Sequence, residues 1–198
     1  MTVRLAQADD LDAAARVLAM AFDAYPWTRW SIPDDGYAMR LERMQRLYLA
    51  HALEHGLVVV DPQLGAVAAF LPPDAPAPSE RVQQQVAELH GARLAEISVL
   101  SLPSPPVGAW TLETVGVDPA RQGSGLGTAV TAAGLAMIDD RADTVALETS
   151  LERNVSLYRR LGFTTVATTV IPDGPVVHSM TRRVHSSGER APSAGSTA

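Results

Sequence analysis

The stretch "VGVDPARQGSGLGTAV", residues 115–130, carries three glycines at alternate positions, Gly123, Gly125 and Gly127. An apolar run typical of a strand precedes these glycines, and a run with helical spacing follows them. Glycines at a strand-to-helix turn let the backbone approach a ligand closely, and the free N–H groups and dipole at the start of a helix attract an anion. The stretch therefore predicts a phosphate or pyrophosphate site.

Two other phosphate-binding motifs do not fit this stretch. The Walker A motif requires a lysine, and the chain of 198 residues contains no lysine. The Rossmann motif requires the spacing G-x-G-x-x-G early in a parallel βαβ unit, whereas "GSGLGT" has a different spacing and lies past the middle of the chain. A glycine-rich turn without a ligand is the remaining alternative, and the entropic cost of three glycines in one turn argues against it.

The composition is that of an ordinary globular protein, since 46% of the residues are hydrophobic and 19% are charged. The length suits one domain, which we expect over residues 1–184, followed by a polar tail at 185–198 that is predicted to be disordered. The absence of cysteine excludes disulfides, thiolate metal sites and cysteine nucleophiles. No apolar run reaches the ~18 residues of a membrane span, and the N-terminus lacks the apolar core of a signal peptide. These features predict a cytoplasmic protein without a membrane partner.

The net charge of −6 bears on the partners of the protein. It disfavours nucleic acid because phosphate contacts require basic patches. It favours a cationic substrate slightly, or it only keeps the protein soluble. The five histidines show no metal-ligand spacing, since His51 and His55 lie four residues apart without a third ligand nearby. No metal site is therefore predicted.

Alternating and helical patterns along the chain predict both strands and helices. Helices are expected over 11–22, 35–55, 79–100, 125–138 and 151–162. Strands are expected over 2–6, 57–61, 65–71, 109–117 and 144–150, with a final antiparallel pair that turns between Pro172 and Pro175. Because several strands follow one another directly, the sequence predicts an α/β fold of the α+β type. Its sheet is expected to be twisted and mostly antiparallel, with helices on both faces.

Two local features complete this pattern. The aromatic segment 25–30 contains Pro26 and is expected to break the helix that precedes it. In the helix after the glycine loop, the spacing predicts a single apolar face. The residues of that face are Leu126, Val130, Ala133 and Met137.

The loop and its flanks resemble the GCN5-related N-acetyltransferases (GNAT). The pyrophosphate signature of that family is Gln or Arg, two residues, Gly, one residue, then Gly or Ala, and Gln122, Gly125 and Gly127 fill it. The segment "VGVDP" before the loop and "ETSLERNVSLYRRLGF" after it also resemble the corresponding family segments. Over about residues 2–183, the order and spacing of such segments are most similar to the puromycin-type branch of the family.

The resemblance implies a GNAT fold in which splayed central strands bind acetyl-CoA as the acyl donor. It implies that the loop backbone binds the pyrophosphate, that the preceding strand pairs with the pantetheine arm, and that Asn154 hydrogen-bonds this arm. Ordinary strand packing of the valine side chains is compatible with this role, because the backbone does the binding, whereas helix capping is the alternative for Asn154. The residues implied in cofactor binding are Val115, Gly116, Val117, Arg121, Gln122, Gly123, Ser124, Gly125, Leu126, Gly127, Thr128 and Asn154.

The resemblance also implies direct acetyl transfer to a primary amine, for which two catalytic residues are candidates. Tyr158 lies four residues after Asn154, on the same helix face, and a phenol with a pKa of ~10 stays protonated and able to act as a general acid. Glu113, on the strand beside the expected cofactor cleft, is the candidate base. A core tyrosine and a surface or salt-bridged glutamate are the alternatives.

The acceptor is expected to be a small-molecule amine, and puromycin or a related aminonucleoside or antibiotic is one candidate. Tyr25, Trp27 and Trp30 are predicted to stack on an aromatic acceptor, with ordinary packing under a proline turn as the alternative. Two other functions remain open: acetylation of a peptide or protein, and a non-catalytic acyl-CoA-binding module. The protein is expected to be a monomer or a homodimer.

Overall fold

The computed structural model describes residues 2–184, which build a seven-stranded sheet with helices on both faces. The tail predicted at 185–198 lies outside these residues. The strands are β1 (Arg4–Leu5), β2 (Leu57–Val60), β3 (Ala66–Leu71), β4 (Trp110–Val117), β5 (Thr144–Thr149), β6 (Thr164–Val170) and β7 (Val176–Arg183). Their order in the sheet is β1-β2-β3-β4-β5-β7-β6, and only the pair β4–β5 is parallel. The expected mostly antiparallel sheet is therefore confirmed.

The helices divide between the two faces of the sheet. They are α1 (Leu11–Phe22), α2 (Pro26–Ser31), α3 (Tyr37–His55), α4 (Glu80–His90), α5 (Leu94–Ser98), α6 (Leu126–Ile138) and α7 (Glu152–Arg160). Residues of α1 and α3 share one buried cluster with β2 and β3, and residues of α6 and α7 share another with β2 to β5. Apolar helix surface thus covers both faces of the sheet at its centre, whereas alternate residues of β6 at the edge stay exposed.

Three expectations about the helices need correction. The segment 25–30 does end α1, but it folds as the short helix α2, because Pro26 occupies a first-turn position where its missing N–H is not needed. The helix expected over 79–100 is interrupted after His90, where Gly91 adopts a φ of 51°. Met137 is 39% exposed and lies outside the buried face of α6. That face instead consists of Leu126, Val130, Thr131, Gly134, Leu135 and Ile138.

The two central strands run together only briefly. β4 and β5 pair at Trp110 with Val145 and at Thr111 with Ala146, and then they separate. Beyond this point β4 continues beside β3 as far as Val117, while β5 continues beside β7. The expected splay of the central strands is confirmed, and it opens the middle of the sheet along one edge of β4.

A β-bulge lies on β4 just where the strands begin to part. Ala69 faces Thr114 and the next residue of β3, Phe70, faces Leu112, so Glu113 has no partner on β3. An extra residue of this kind bends the strand and redirects its side chain. This bulge was not predicted from the sequence, although the apolar positions of β4 shift by one residue across it, from Trp110 and Leu112 to Val115 and Val117.

We expect Gly134→Ala to destabilise the protein by about 1–3 kcal/mol, because α6 lies directly on Phe70 and a methyl group would overpack the contact. A Cβ at position 134 would lie 2.6 Å from Cζ of Phe70. At an exposed helix position alanine is favoured over glycine by about 1 kcal/mol. The expected stability change of Gly134→Ala therefore has the opposite sign to that of the same substitution at the surface. Urea denaturation measures the effect, with Ala136→Gly as the control at an exposed position of α6. A stabilised Gly134→Ala variant would contradict the packing argument.

Candidate functional site

A cavity of about 970 Å³ opens where β4 and β5 separate. Residues of α1 to α3 line one side, β4 and β5 line its base, and the start of α7 lines the other side. Two proline-containing segments, 72–78 and 105–109, also contribute to the lining. A second cavity of about 440 Å³ adjoins it, and Glu113 and Glu148 line both.

The glycine loop presents backbone donors that have no partner in the described part of the chain. Gly123 and Gly125 adopt left-handed conformations, with φ of 79° and 83°, and Gly125 forms the N-cap of α6. Within residues 2–184, the N–H groups from Gln122 to Thr128 donate to no protein acceptor. Unpaired donors at a helix start, reinforced by the helix dipole, form the kind of site that binds an anion.

The polar side chains of the loop stabilise its shape. The Ser124 hydroxyl donates to the carbonyl oxygen of Arg121 at 2.6 Å, and Gln122 Nε2 donates to the carbonyl oxygen of Val117 at 3.2 Å. Leu126, the first residue of α6, is buried, and Gly127 allows that helix to approach β4, since a Cβ there would lie 3.1 Å from a methyl group of Val117. The loop therefore leaves its backbone, rather than these side chains, available to a ligand.

Arg121 is held by an ion pair on the side of the loop that faces β2 and β3. Its Nη1 lies 2.9 Å from Oδ2 of Asp61, whose side chain is only 3% exposed. The same carboxylate accepts the N–H of Ala66 at 2.6 Å. The guanidinium also lies over Gly65, where any Cβ would overlap with it. Sequence analysis assigned Arg121 to cofactor binding, and the structure gives its side chain a different partner.

The strand before the loop has different packing on its two faces. Gly116 lies against α1, where a Cβ would come within 2.7 Å of Leu18. Val115 and Val117 pack with the apolar cluster under α6, as the strand-core alternative expected. The valine side chains thus belong to the core, and the part of β4 that faces the splay is its backbone. Thr128 is partly buried in the first turn of α6.

Tyr158 is the buried polar residue of α7 that faces the larger cavity. It is 7% exposed and its ring packs edge-on against Phe163, with 5.8 Å between the centroids. Its hydroxyl forms no hydrogen bond with any residue between 2 and 184. Burial raises the pKa of Tyr158 well above its ordinary value, and the nearby Tyr25 raises it further. The hydroxyl therefore carries its proton throughout the neutral range.

Tyr25 connects two distant parts of the chain beside Tyr158. Its hydroxyl accepts the N–H of Ser150 at 2.7 Å and lies 3.0 Å from Oγ1 of Thr149. Asn154 Nδ2 donates to the same threonine oxygen at 3.2 Å, and the N-cap of α7 is Leu151, so the capping alternative for Asn154 is not observed. The network holds the connection between α1 and α2 against the end of β5.

The three predicted aromatic residues do not all reach the cavity. Tyr25 and Trp27 line it. Trp30 lies outside the lining, 5.5 Å from Trp27 by ring centroids, and its Nε1 is close to Gly174 in the turn between β6 and β7. The position of Trp30 therefore agrees with ordinary packing, the alternative to stacking on an acceptor.

Glu113 shares the cavity with two residues that the sequence analysis missed, Tyr48 and Glu148. Burial raises the pKa of the Tyr48 phenol, and the charge of Glu113 raises it further. Burial also raises the pKa of Glu148, opposed by a hydrogen bond from the Ser179 hydroxyl and reinforced by Glu113. The sequence marks Glu148 only as a polar residue within the apolar run "TVALETS". This signal becomes informative only when the position of β5 beside β7 is known.

Metal-binding clusters and membrane-spanning helices are both absent from residues 2–184. No group of three His, Asp or Glu side chains there is close enough together to hold a metal ion. No helix in this part of the chain is both long and apolar enough to cross a membrane.

Comparisons with known proteins agree with this geometry. The sequence model of the "Acetyltransferase (GNAT) family" matches residues 27–163. A mycothiol acetyltransferase from Cellulomonas flavigena is 48% identical over 64 residues, which are 31% of this chain and only 18% of that protein. The chain thus matches less than a fifth of the length of this curated relative.

Solved structures show the same fold at low sequence identity. A histone acetyltransferase HPA2 and related acetyltransferase from Corynebacterium glutamicum is 24% identical, with a TM-score of 0.72 over 92% of this chain and 96% of that one. Arylalkylamine N-acetyltransferase 2 from Aedes aegypti is 12% identical, with a TM-score of 0.60 over 92% and 98%. These comparisons support the broad family and leave the expected closeness to the puromycin-type branch unsupported.

We expect Arg121→Gln to destabilise the protein by about 1–3 kcal/mol, because it leaves the buried Asp61 carboxylate without its cation. Asp61→Asn should also destabilise, and the double variant should lose less than the sum of the two single losses. Arg46→Gln is the control, since the Arg46–Asp12 pair is exposed and should contribute less than about 1 kcal/mol. Urea denaturation gives all four values. Additive losses at Asp61 and Arg121 would show that the ion pair does not stabilise the loop.

Proposed function

Because the chain belongs to the acetyltransferase (GNAT) family, we propose that it transfers acetyl from acetyl-CoA to the primary amine of a small molecule by direct attack. The observation that carries this proposal is the cavity at the splay of β4 and β5, which has the unbonded Tyr158 hydroxyl in its wall, together with the free N–H groups of the loop that follows β4. The absence of cysteine agrees with direct attack, since no thiol is present to carry the acyl group.

The residues around the splay fit acetyl-CoA. The N–H groups from Gln122 to Thr128 would hold the pyrophosphate, and the free edge of β4 along Val115–Val117 would accompany the pantetheine arm. The buried hydroxyls of Thr114 and Ser150 lack hydrogen-bond partners within residues 2–184, and both residues line the cavity. Buried polar atoms of this kind normally have a partner, so a ligand that supplies one is expected there.

Acetyl-CoA supplies, when bound, an activated acyl carbon and a thiolate leaving group. Tyr158 holds its proton on Oη at neutral pH because burial raises its pKa, and this proton is available to the departing sulfur. Glu113 lies on the bulge of β4 and faces the same cavity, where its carboxylate would accept a proton from the ammonium form of the acceptor. Asn154, held by Thr149, would orient the donor near Tyr158.

A small-molecule acceptor is favoured by the lining of the cavity. Prolines of the segments 72–78 and 102–108 contribute to that lining, so these segments border the space that an extended peptide would need. Trp27 and Tyr48 offer aromatic surface for an apolar or aromatic acceptor. Puromycin and related aminonucleosides, as α-amines with aromatic bodies, are therefore included among the acceptors to be tested.

Release of CoA from acetyl-CoA, followed with a thiol dye, tests the proposal with a panel of amines that includes puromycin. The protein contains no cysteine, so the dye reports the product alone. Tyr158→Phe should lower kcat on the order of 10²-fold and leave the acetyl-CoA dissociation constant within about twofold, because it removes a proton donor and little surface. Equal kcat in the variant and the parent protein would remove Tyr158 as the acid.

Gly125→Ala should weaken acetyl-CoA binding by about 10- to 100-fold, because the new side chain would stand between the loop and the pyrophosphate. Gly36→Ala is a matched control, since Gly36 is also a left-handed N-cap, of α3, and carries a similar strain away from the loop. Calorimetric titration measures the affinity. If both variants bind acetyl-CoA like the parent protein, the loop is not the pyrophosphate site.

A further inference from the structure

Glu113 and Glu148 lie where the two cavities meet, and both residues line both cavities. Among the ion pairs of residues 2–184, neither carboxylate has a partner. Glu148 accepts one hydrogen bond, from the Ser179 hydroxyl at 3.4 Å. Two negative groups without a counter-ion therefore face the same space.

The surroundings do not supply the missing positive charge. Neither cavity has an arginine among the described residues of its lining, and the chain contains no lysine. Tyr25, Tyr48 and Tyr158 are phenols, and His51 is the remaining ionisable residue of the larger lining besides the two glutamates. The rest of the two linings is mainly apolar, with several prolines as well as Trp27 and Met180.

Two carboxylates in such surroundings repel each other and are stabilised by a cation. Burial raises the pKa of Glu148, and the negative charge of Glu113 raises it further. An ammonium group between them would relieve the repulsion, whereas an anion would increase it. Both glutamates are exposed at the cavity surface, so water screens part of these effects.

We infer that Glu113 and Glu148 together bind the ammonium group of the acceptor and reject amines that carry a carboxylate beside it. The inference rests on the proposed function and narrows its acceptor class. The expected acceptors are cationic amines with an apolar or aromatic body and no adjacent acid. Free amino acids are excluded, while the corresponding decarboxylated amines and amino acid amides are accepted.

Matched pairs of amines test this assignment on the intact protein. The pairs are phenethylamine with phenylalanine, tyramine with tyrosine, and tryptamine with tryptophan, in which only the carboxylate differs. Equilibrium binding is measured by calorimetry with CoA present, and turnover is measured separately with the thiol dye. The decarboxylated member of at least one pair should bind about 100-fold more tightly, as expected for a like charge placed near a carboxylate pair.

Isosteric variants identify the residues that cause the preference for the decarboxylated amine over the amino acid. Glu148→Gln and Glu113→Gln should each reduce it by about tenfold, because each removes one of the two charges and keeps the shape. Glu88→Gln is the control, since this exposed glutamate of α4 lies outside both linings and should leave the preference unchanged. A preference that survives in both Glu113→Gln and Glu148→Gln would overturn the assignment.

The pH dependence of phenethylamine binding distinguishes direct recognition of the ammonium group by the two glutamates from a merely structural role of these residues. The amine stays a cation while Glu148 takes up a proton, so weaker binding at low pH reports loss of the Glu148 charge. Because the charge of Glu113 raises the pKa of Glu148, Glu113→Gln should move this loss of binding to lower pH. If phenethylamine binding is half lost at the same pH in Glu113→Gln and in the parent protein, a shared ammonium site is contradicted.

The two measurements distinguish failure of the inference from failure of the proposed function. A preference in binding without CoA release would support the ammonium site and count against acetyl transfer to these amines. CoA release at equal efficiency with both members of every pair would support acetyl transfer and overturn the ammonium site. Absence of a binding preference in all three pairs, including absence of any binding, also overturns it.

Discussion

The separation of β4 from β5 is the constraint on which the rest of the site depends. The two strands share only two paired positions, and beyond Thr111 and Ala146 each continues with its outer neighbour. A parallel pair inside a sheet ordinarily continues along its length, because unpaired backbone groups are costly when buried. Here the antiparallel neighbours β3 and β7 hold the two strands in place, so the gap between them persists without collapsing the sheet.

The separation also determines which residues meet. The bulge at Glu113 lies two residues past the last paired position of β4, and Glu148 lies two residues past that of β5. Each carboxylate therefore stands at the start of the gap, and α7 brings Tyr158 to the same cavity. Groups that lie 35 and 45 residues from Glu113 along the chain are thus brought together by strand geometry. The acidic character of this region follows from the same arrangement.

Local features of the site were predictable from the sequence, and long-range contacts were not. The glycine loop, its flanking strand and its helix follow from short-range patterns, and Tyr158 followed from its family context. Glu148 was missed because its significance depends on where β5 lies relative to β4 and β7. The ion pair of Arg121 with Asp61 was not predicted, because the two residues lie 60 positions apart in the chain. The short helix α2 was missed because proline was read as a helix breaker, although it is well suited to a first turn.

The hydrogen bonds of Tyr25 have a consequence for how such a protein could diversify. The cavity-lining residues of α1 to α3 belong to the first half of the chain, whereas the glycine loop and α7 belong to the second half. Substitutions of those lining residues that make no contact with the second half can reshape the pocket while the second half keeps its fold. Tyr25 is an exception, because its hydroxyl holds Ser150 and Thr149 across 125 and 124 residues of chain. A change there would alter both halves at once, so variation in acceptor choice is expected to proceed around this residue.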